Sequence, residues 1–177
     1  MTGDANELDY PWHGHGLTIS RYIVMNQEVN EKELQRALNY MQDIPFNKHI
    51  GLEIITFNSD EILLRLKMRD ELVGNWMHDM LHGGVIASAI DMAGGSAAIV
   101  AAYARQGDAS EEQKKRNLGK LGTIDMRVDY LRPGKGKEFF ISATVLRIGS
   151  KVAVTRMELK NEIGSLIAVG TGTYMCG

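Results

Sequence analysis

One short run of this sequence contains residues whose types and spacing could do chemistry. It is His82-Gly83-Gly84, followed further along by Asp91. Two glycines that open a helix leave backbone N–H groups of its first turn unpaired, and these donors, together with the helix dipole, favour negative charge. A developing oxyanion on a carbonyl group is stabilised by donors of this kind. The run therefore predicts an anion-binding helix start, and a plain glycine-rich helix start is the alternative interpretation.

Asp91 lies on a predicted helix face of small residues. At about 100° per residue, the face of Asp91 also contains Gly84, Ala87, Ser88, Gly94, Gly95 and Ala98. A carboxylate among small residues has room beside it for another molecule or another helix. Mid-helix glycine costs roughly 1 kcal/mol relative to alanine, so Gly94 and Gly95 indicate a close approach. Alternatively, the two glycines only let helices pack, and Asp91 caps a helix or forms an ion pair.

The element that must carry these residues is a long helix over residues 82–105. Its apolar stretch is rich in alanine and is interrupted by Asp91 and the two glycines, which predicts a buried helix and not a membrane span. Upstream, Asn30 as N-cap and Glu33 predict a helix over residues 31–43, and Pro45 ends its pattern. Residues 50–57 and 61–68 have the composition of two strands.

The rest of the chain predicts an antiparallel sheet. Residues 69–81 are expected to form a loop and residues 106–120 a solvated linker. Four strands over residues 122–131, 138–148, 151–160 and 165–175 are expected to close the chain as a meander. This order predicts an α+β fold in which about six antiparallel strands curl round one long apolar helix.

Composition narrows the class of protein. The 177 residues suffice for one domain with a sizeable core, with 44% hydrophobic and 24% charged residues. The net charge of −2 gives no basic field for nucleic acid. Cys176 is the single cysteine, so no disulfide can form within the chain, and a reducing compartment, the cytoplasm, is expected. The first 16 residues contain no apolar core of a secretory signal.

Other catalytic patterns are missing from the sequence. The run around Ser96 lacks the second glycine of a nucleophile elbow, and the basic run 134–137 is not a phosphate-binding loop. Cys176 with His82 as its base is a remote alternative. His13 and His15 have no third ligand nearby, so neither a metal site nor any cofactor is expected.

Two motifs carry a family resemblance. His82-Gly83-Gly84 with an acid at Asp91, and the run of residues 125–134 ending in a proline turn, resemble the PaaI-type hotdog thioesterases. The resemblance spans about residues 50–177. It implies a hotdog fold over residues 46–177, with residues 1–45 as an N-terminal arm and an added helix. We expect that helix to pack on the rim and to narrow the acyl pocket.

The resemblance also implies roles in cleaving an acyl-CoA thioester. Asp91 would be the nucleophile or the general base that activates water, and the Gly83 amide would polarise the thioester carbonyl. His82 would hold the helix start in place, and Thr123 would orient the attacking water. Asn75 is the nearest candidate for the family's Asn or Gln that touches the thioester.

Substrate contacts are expected on two sides of this site. Gly84, Trp76 and Met80 would lie beside the acyl group, where adaptable methionine suits a flexible chain, although filling the core is an equally good interpretation. Basic residues at the proline turn would meet the phosphates of CoA, or would simply be solvated. They are Arg132, Lys135 and Lys137.

Two other functions remain open at this point. A hotdog dehydratase or hydratase would need a histidine paired with an acid, and a non-catalytic acyl-CoA binder or sensor would not need Asp91. If Gly83 and Asp91 both act, they cannot reach one thioester from a single helix, because eight residues span about 12 Å. We therefore expect a homodimer, or a tetramer built from dimers, with each site shared between two subunits.

Overall fold

The computed structural model describes residues 35, 38–39, 41–57, 61–106 and 109–176. Its helices are α1 (Pro45–Ile50), α2 (Gly83–Arg105) and α3 (Glu111–Leu118), and its strands are β1 (Leu52–Phe57), β2 (Ile62–Lys67), β3 (Val73–Asn75), β4 (Met80–Leu81), β5 (Gly122–Tyr130), β6 (Glu138–Ile148), β7 (Val152–Asn161) and β8 (Leu166–Met175). Six strands form one antiparallel sheet in the order β1-β2-β6-β7-β8-β5, and β3 pairs with β4. The predicted α+β arrangement is confirmed.

The long helix α2 is the centre of the core. It packs on β6, β7 and β8, and its residues from Met92 to Tyr103 are all buried. By length and composition α2 could cross a membrane, with a mean hydropathy of 1.7, but 78% of that apolar window is buried inside the domain. The apolar character of α2 is therefore accounted for by the sheet that wraps it.

The strand order differs from the predicted meander. β6, β7 and β8 follow one another as hairpins, but β5 lies at the sheet edge beside β8, and β6 pairs with β2. After β5 the chain crosses the sheet instead of turning back. The Arg132 N–H donates to Ile167 O, and the carbonyl of Gly134 accepts from the Leu81 N–H. The meander prediction was wrong because these long-range bonds direct the proline turn toward the start of α2.

Local structure differs from prediction at three places. The predicted linker contains α3, the predicted loop contains β3 and β4, and Pro45 begins the short helix α1, where its missing N–H has no helical acceptor to lose. Asn47 of α1 is buried, and its side-chain amide donates to Met41 O over 2.8 Å.

The predicted N-terminal helix lies partly outside the described residues, as do Asn30, Glu33, His13 and His15. Residues 35, 38, 39, 41 and 42 are helical. Leu38 is fully buried and belongs to the main core cluster, and Met41 packs against that cluster. Leu38 and Met41, the two described residues of the predicted apolar stripe, therefore face the core of the domain.

Candidate active site

His82 holds the start of α2. Its backbone is extended, with φ −64° and ψ 135°, and its ring Nδ1 accepts a hydrogen bond from the Gly84 N–H over 2.9 Å. A histidine in this position acts as a helix N-cap, satisfying one of the unpaired donors of the first turn. Because Nδ1 is the acceptor, the neutral ring has its proton on Nε2.

Two neighbours from the preceding segment keep His82 in place. Its backbone N–H donates to Leu72 O over 2.9 Å. Gly74 lies so close that a Cβ there would come within 2.6 Å of the His82 Cα, so no larger residue fits without a shift. The loop before α2 and the helix start are thus packed as one unit.

Gly83 presents a free backbone donor at the helix start. Within the described part of the chain, its N–H has no hydrogen-bond acceptor. Its carbonyl is held from the edge strand, because the Tyr130 hydroxyl donates to it over 2.9 Å. Gly83 therefore combines a fixed backbone with an N–H that can bind a carbonyl oxygen or an oxyanion.

Asp91 lies two turns further along α2 and is half-buried. Its carboxylate Oδ1 accepts a hydrogen bond from the Thr123 hydroxyl over 2.9 Å. A hydrogen bond to a charged group is stronger than one between neutral groups, so this contact orients the carboxylate. The carboxylate is only half-buried, so it can still bind water or substrate.

A β-bulge brings Thr123 to this position. Thr123 pairs with Tyr174 of β8, but the next paired residue is Asp125, opposite Thr173, so Ile124 is the extra residue. Bulges bend a strand and redirect its side chains, and they are common beside active sites. Ile124 itself is 52% exposed.

Tyr174 contacts Asp91 from the other side. Its hydroxyl, which is buried, donates to the backbone carbonyl of Asp91 over 3.2 Å. Burial raises the pKa of the Tyr174 phenol well above its usual range, and the nearby Asp91 carboxylate raises that pKa further. The phenol therefore remains protonated and able to donate.

Gly83 and Asp91 occupy one uninterrupted helix. Eight residues at 1.5 Å per residue separate them by about 12 Å along the axis. A reacting carbonyl carbon must lie roughly 3–3.5 Å from its attacking group, so one copy of α2 cannot bring both residues to the same carbonyl.

Residues 78–168, just over half of the chain, match a family model described as the thioesterase superfamily. This chain belongs to the thioesterase superfamily. Over 138 residues it is 44% identical to the medium/long-chain acyl-CoA thioesterase YigI of Escherichia coli K12, a match that covers 78% of this chain and 89% of that protein.

Solved structures of the superfamily share the fold. A crystal structure from Shewanella oneidensis, described as related to the thioesterase superfamily, is 42% identical, with a TM-score of 0.82, and the match covers 86% of this chain and all of that one. Zebra fish thioesterase superfamily member 2 is 24% identical, with a TM-score of 0.60, and the match covers 86% of this chain and all of that one. At that identity the second likeness shows the fold alone.

The superfamily match contains His82, Gly83, Asp91 and Thr123 but leaves out the loop residues Asn75 and Trp76. The Asn75 side-chain oxygen accepts from the Met77 N–H over 3.1 Å, so it shapes the local turn. Trp76 is 80% exposed, and Met80 in β4 is half-buried. Asn75 pairs with Met80 across the small sheet, which places both beside the start of α2.

The proline turn also lies beside the start of α2. The Leu81 N–H donates to Gly134 O over 2.9 Å, and a Cβ on Gly134 would contact both Leu81 and Ile86. The turn is thus bonded to the segment just before Gly83, and it carries three exposed basic side chains. These side chains belong to Arg132, Lys135 and Lys137.

The β7–β8 turn fixes the shape of this basic turn. Glu162 accepts from the Lys137 N–H over 3.1 Å and from the Glu138 N–H over 3.4 Å. Partial burial alone would raise the pKa of the Glu162 carboxyl, but these backbone hydrogen bonds outweigh it, and the pKa lies below its usual value. Arg132 is held too, because its guanidinium donates to Leu166 O over 2.9 Å.

Sequence reasoning missed the two tyrosines that bind backbone carbonyls of α2. Tyr130 reaches Gly83 and Tyr174 reaches Asp91. The glycine at position 94 was the available signal, since mid-helix glycine indicates close approach, but its neighbour is Tyr174 and not a second helix. Nothing in the local sequence of β8 indicates which helix carbonyl its tyrosine meets.

Proposed function

We propose that this chain is an acyl-CoA thioesterase, which hydrolyses the thioester of an acyl-CoA to the free acid and CoA. The observation that carries the proposal is the Thr123–Asp91 hydrogen bond on a half-open face of α2, in a chain 44% identical to a medium/long-chain acyl-CoA thioesterase. The motif residues His82, Gly83 and Gly84 support a PaaI-type member of the superfamily. The free cysteine Cys176 supports a soluble cytoplasmic protein.

Gly83 and Asp91 have separate roles in the proposed reaction. The Gly83 N–H binds the thioester carbonyl oxygen and stabilises the negative charge that develops there. Asp91 either takes a proton from water, which adds to the carbonyl carbon, or attacks that carbon itself. In both routes the C–S bond breaks, CoA leaves as its thiol after taking a proton, and water supplies the oxygen of the product acid. Thr123 orients the carboxylate and the water beside it.

The site requires two subunits in this proposal. Gly83 of one subunit and Asp91 of its partner meet when two copies of α2 run antiparallel about a two-fold axis, which creates two identical sites. The geometry supports this arrangement, because β5 is an edge strand with exposed apolar residues next to the site. These residues are Ile124 and Tyr130, and Leu131 just after the strand is exposed as well.

Substrate contacts follow from the residues around Gly83. The CoA phosphates would meet Arg132, Lys135 and Lys137, because these cations sit on a turn bonded to the segment just before α2. The acyl chain would lie against Trp76 and Met80, and Gly84 leaves space for the thioester. A medium or long acyl chain is proposed from the relative YigI.

A dehydratase is disfavoured by the position of His82. Its Nδ1 is occupied by the Gly84 N–H, and nine residues along one helix separate it from Asp91, about 13 Å. Within one subunit that distance prevents the histidine–acid pair that such chemistry needs. A pair formed between subunits would have only Nε2 of His82 available, because Nδ1 caps the start of α2. Measurement of turnover distinguishes a thioesterase from a non-catalytic acyl-CoA binder.

The test measures release of free CoA from acyl-CoAs of increasing chain length. Wild type is expected to turn over, and Asp91→Asn is expected to lower kcat by a factor of about 10² or more, since general-base help contributes about 10²–10⁴. Asp125→Asn is the matched control, because the bulge at Ile124 shifts the register so that Asp125 pairs with Thr173, whose side chain lies on the sheet face opposite to that of Tyr174. Near-normal turnover by Asp91→Asn would refute the assigned role, and binding without turnover by wild type would identify a binder.

A further inference from the structure

Two cross-strand partners reach the same helical residue. Thr123 of β5 and Tyr174 of β8 are directly paired, so their side chains leave the sheet on the same face. Thr123 donates to the Asp91 carboxylate, and Tyr174 donates to the Asp91 backbone carbonyl. This one cross-strand pair therefore binds Asp91 at both its side chain and its main chain.

Two glycines leave the space that the Tyr174 side chain occupies. A Cβ on Gly94 would collide with that hydroxyl and would lie 2.8 Å from the Thr155 hydroxyl. A Cβ on Gly172, two residues before Tyr174 on β8, would lie 2.6 Å from the tyrosine ring. Both glycines are buried, and the helix and the strand each lack a side chain where the phenol passes.

Packing alone does not explain the hydroxyl. The Asp91 carbonyl lies inside α2, where the helical N–H four residues later already satisfies it. Phenylalanine would fill the same space without a polar atom that needs a partner in the core. The Tyr174 hydroxyl, which also contacts the Thr155 hydroxyl, adds a second bond to the Asp91 carbonyl, and Asp91 is the residue with the half-exposed carboxylate.

We propose that Tyr174 is a positioning residue for Asp91. Its hydroxyl fixes how far the α2 turn that carries the carboxylate lies from the sheet, and how that turn is rotated about the helix axis. This inference rests on the proposed catalytic role of Asp91. Catalytic groups must be held within about 0.5 Å of their productive positions, and an error of about 1 Å can cost up to about 10²-fold in rate. Tyr174 lies outside the matched superfamily region, residues 78–168.

The test is a double-mutant cycle with Tyr174→Phe and Asp91→Asn in the full-length chain. Tyr174→Phe is expected to lower kcat about tenfold with little change in KM, because carboxylate placement and not binding is altered. In the Asp91→Asn background the same change is expected to alter kcat by less than about twofold, since coupled residues are not additive. Tyr103→Phe removes the hydroxyl of a second buried tyrosine, which lies on α2 and not on β8, and is expected to leave kcat unchanged.

Each outcome separates the two proposals. Unchanged kcat in Tyr174→Phe, with Asp91→Asn inactive, overturns the positioning role and leaves the proposed function standing. If Tyr174→Phe lowers kcat by the same factor in the wild-type and the Asp91→Asn backgrounds, the role of Tyr174 is purely structural, which also overturns the inference. Near-normal Asp91→Asn activity overturns the proposed function itself. If Tyr174→Phe does not fold, 4-fluorophenylalanine at position 174 fills the same slot without donating, and it is expected to show the same tenfold loss.

Discussion

The Thr123 hydroxyl lies 2.9 Å from Asp91 Oδ1, across the junction between the edge strand and the central helix. This contact joins the residue of β5 just before a bulge to a carboxylate in the middle of a mostly apolar helix. A carboxylate that is held by a hydrogen bond to one oxygen and remains half-exposed can act on a substrate. The consequences of this arrangement can be measured.

Replacing Thr123 with valine removes the hydroxyl and keeps the shape of the side chain. We expect kcat to fall about tenfold, because a hydrogen bond to a charged group contributes about 1.5–3 kcal/mol, part of which neighbouring water restores. The loss should be smaller than for Asp91→Asn. Thr123→Ser keeps the hydroxyl and is expected to retain most activity in the same CoA-release assay, and equal losses for serine and valine would contradict the assignment.

Replacing Gly83 with proline removes the N–H at the first position of α2, where proline is tolerated. His82 already has the extended backbone that a residue before proline adopts, and a Cβ at position 83 would make ordinary contact with Tyr130 at 3.5 Å. We expect Gly83→Pro to fold and to lose about 10²–10³ in kcat, the typical cost of one oxyanion donor. Gly83→Ala keeps the N–H and serves as the control, and normal turnover by the proline variant would exclude this donor.

Mixed subunits test whether one site uses two chains. Co-expression of Asp91→Asn chains with Gly83→Pro chains is expected to restore about a quarter of wild-type activity, because half of random dimers are mixed and each has one intact site. Each variant alone should remain nearly inactive. If the mixture is no more active than its components, or if a monomer in solution is fully active, the shared site is wrong.

Glu162 should make the proline turn sensitive to acid. Its pKa is lowered in the folded chain, so its stabilising contribution is present above the ordinary glutamate pKa of about 4.3 and is lost as pH falls through the lowered value. Wild type is therefore expected to have a higher Tm than Glu162→Gln at pH 7, with the difference shrinking below about pH 4. Thermal unfolding across this range checks it, with Glu112→Gln on α3 as an exposed control. A difference that grows toward low pH would contradict the assignment.

Leu38 tests whether the N-terminal helix is part of the core. Because Leu38 is fully buried in the main cluster, Leu38→Ala should lower the free energy of unfolding by about 2–5 kcal/mol. Urea titration measures this, and Leu146→Ala, at a side chain that is 60% exposed, should change it by no more than about 0.5 kcal/mol. An unchanged free energy for Leu38→Ala would instead favour the rim position expected for an added helix.

The sequence by itself determined the elements whose signals are local. The central helix was predicted within one residue, because His82-Gly83-Gly84 marks its start and an alanine-rich apolar run continues it. The four later strands were predicted within one residue at each end, since alternating side chains and turn residues are read along the chain. The motif around Asp91 also indicated the family.

Only the tertiary structure decided which segments meet. The position of β5 beside β8 depends on pairing between residues far apart in sequence, such as Thr123 with Tyr174. The neighbour of Gly94 turned out to be Tyr174, eighty residues further along the chain, and not another helix. A glycine in a helix signals that something approaches closely, but its identity is a property of the packed sheet. Pairing between distant strands leaves no mark in the local pattern of either one, because periodicity specifies which face is buried and not what buries it.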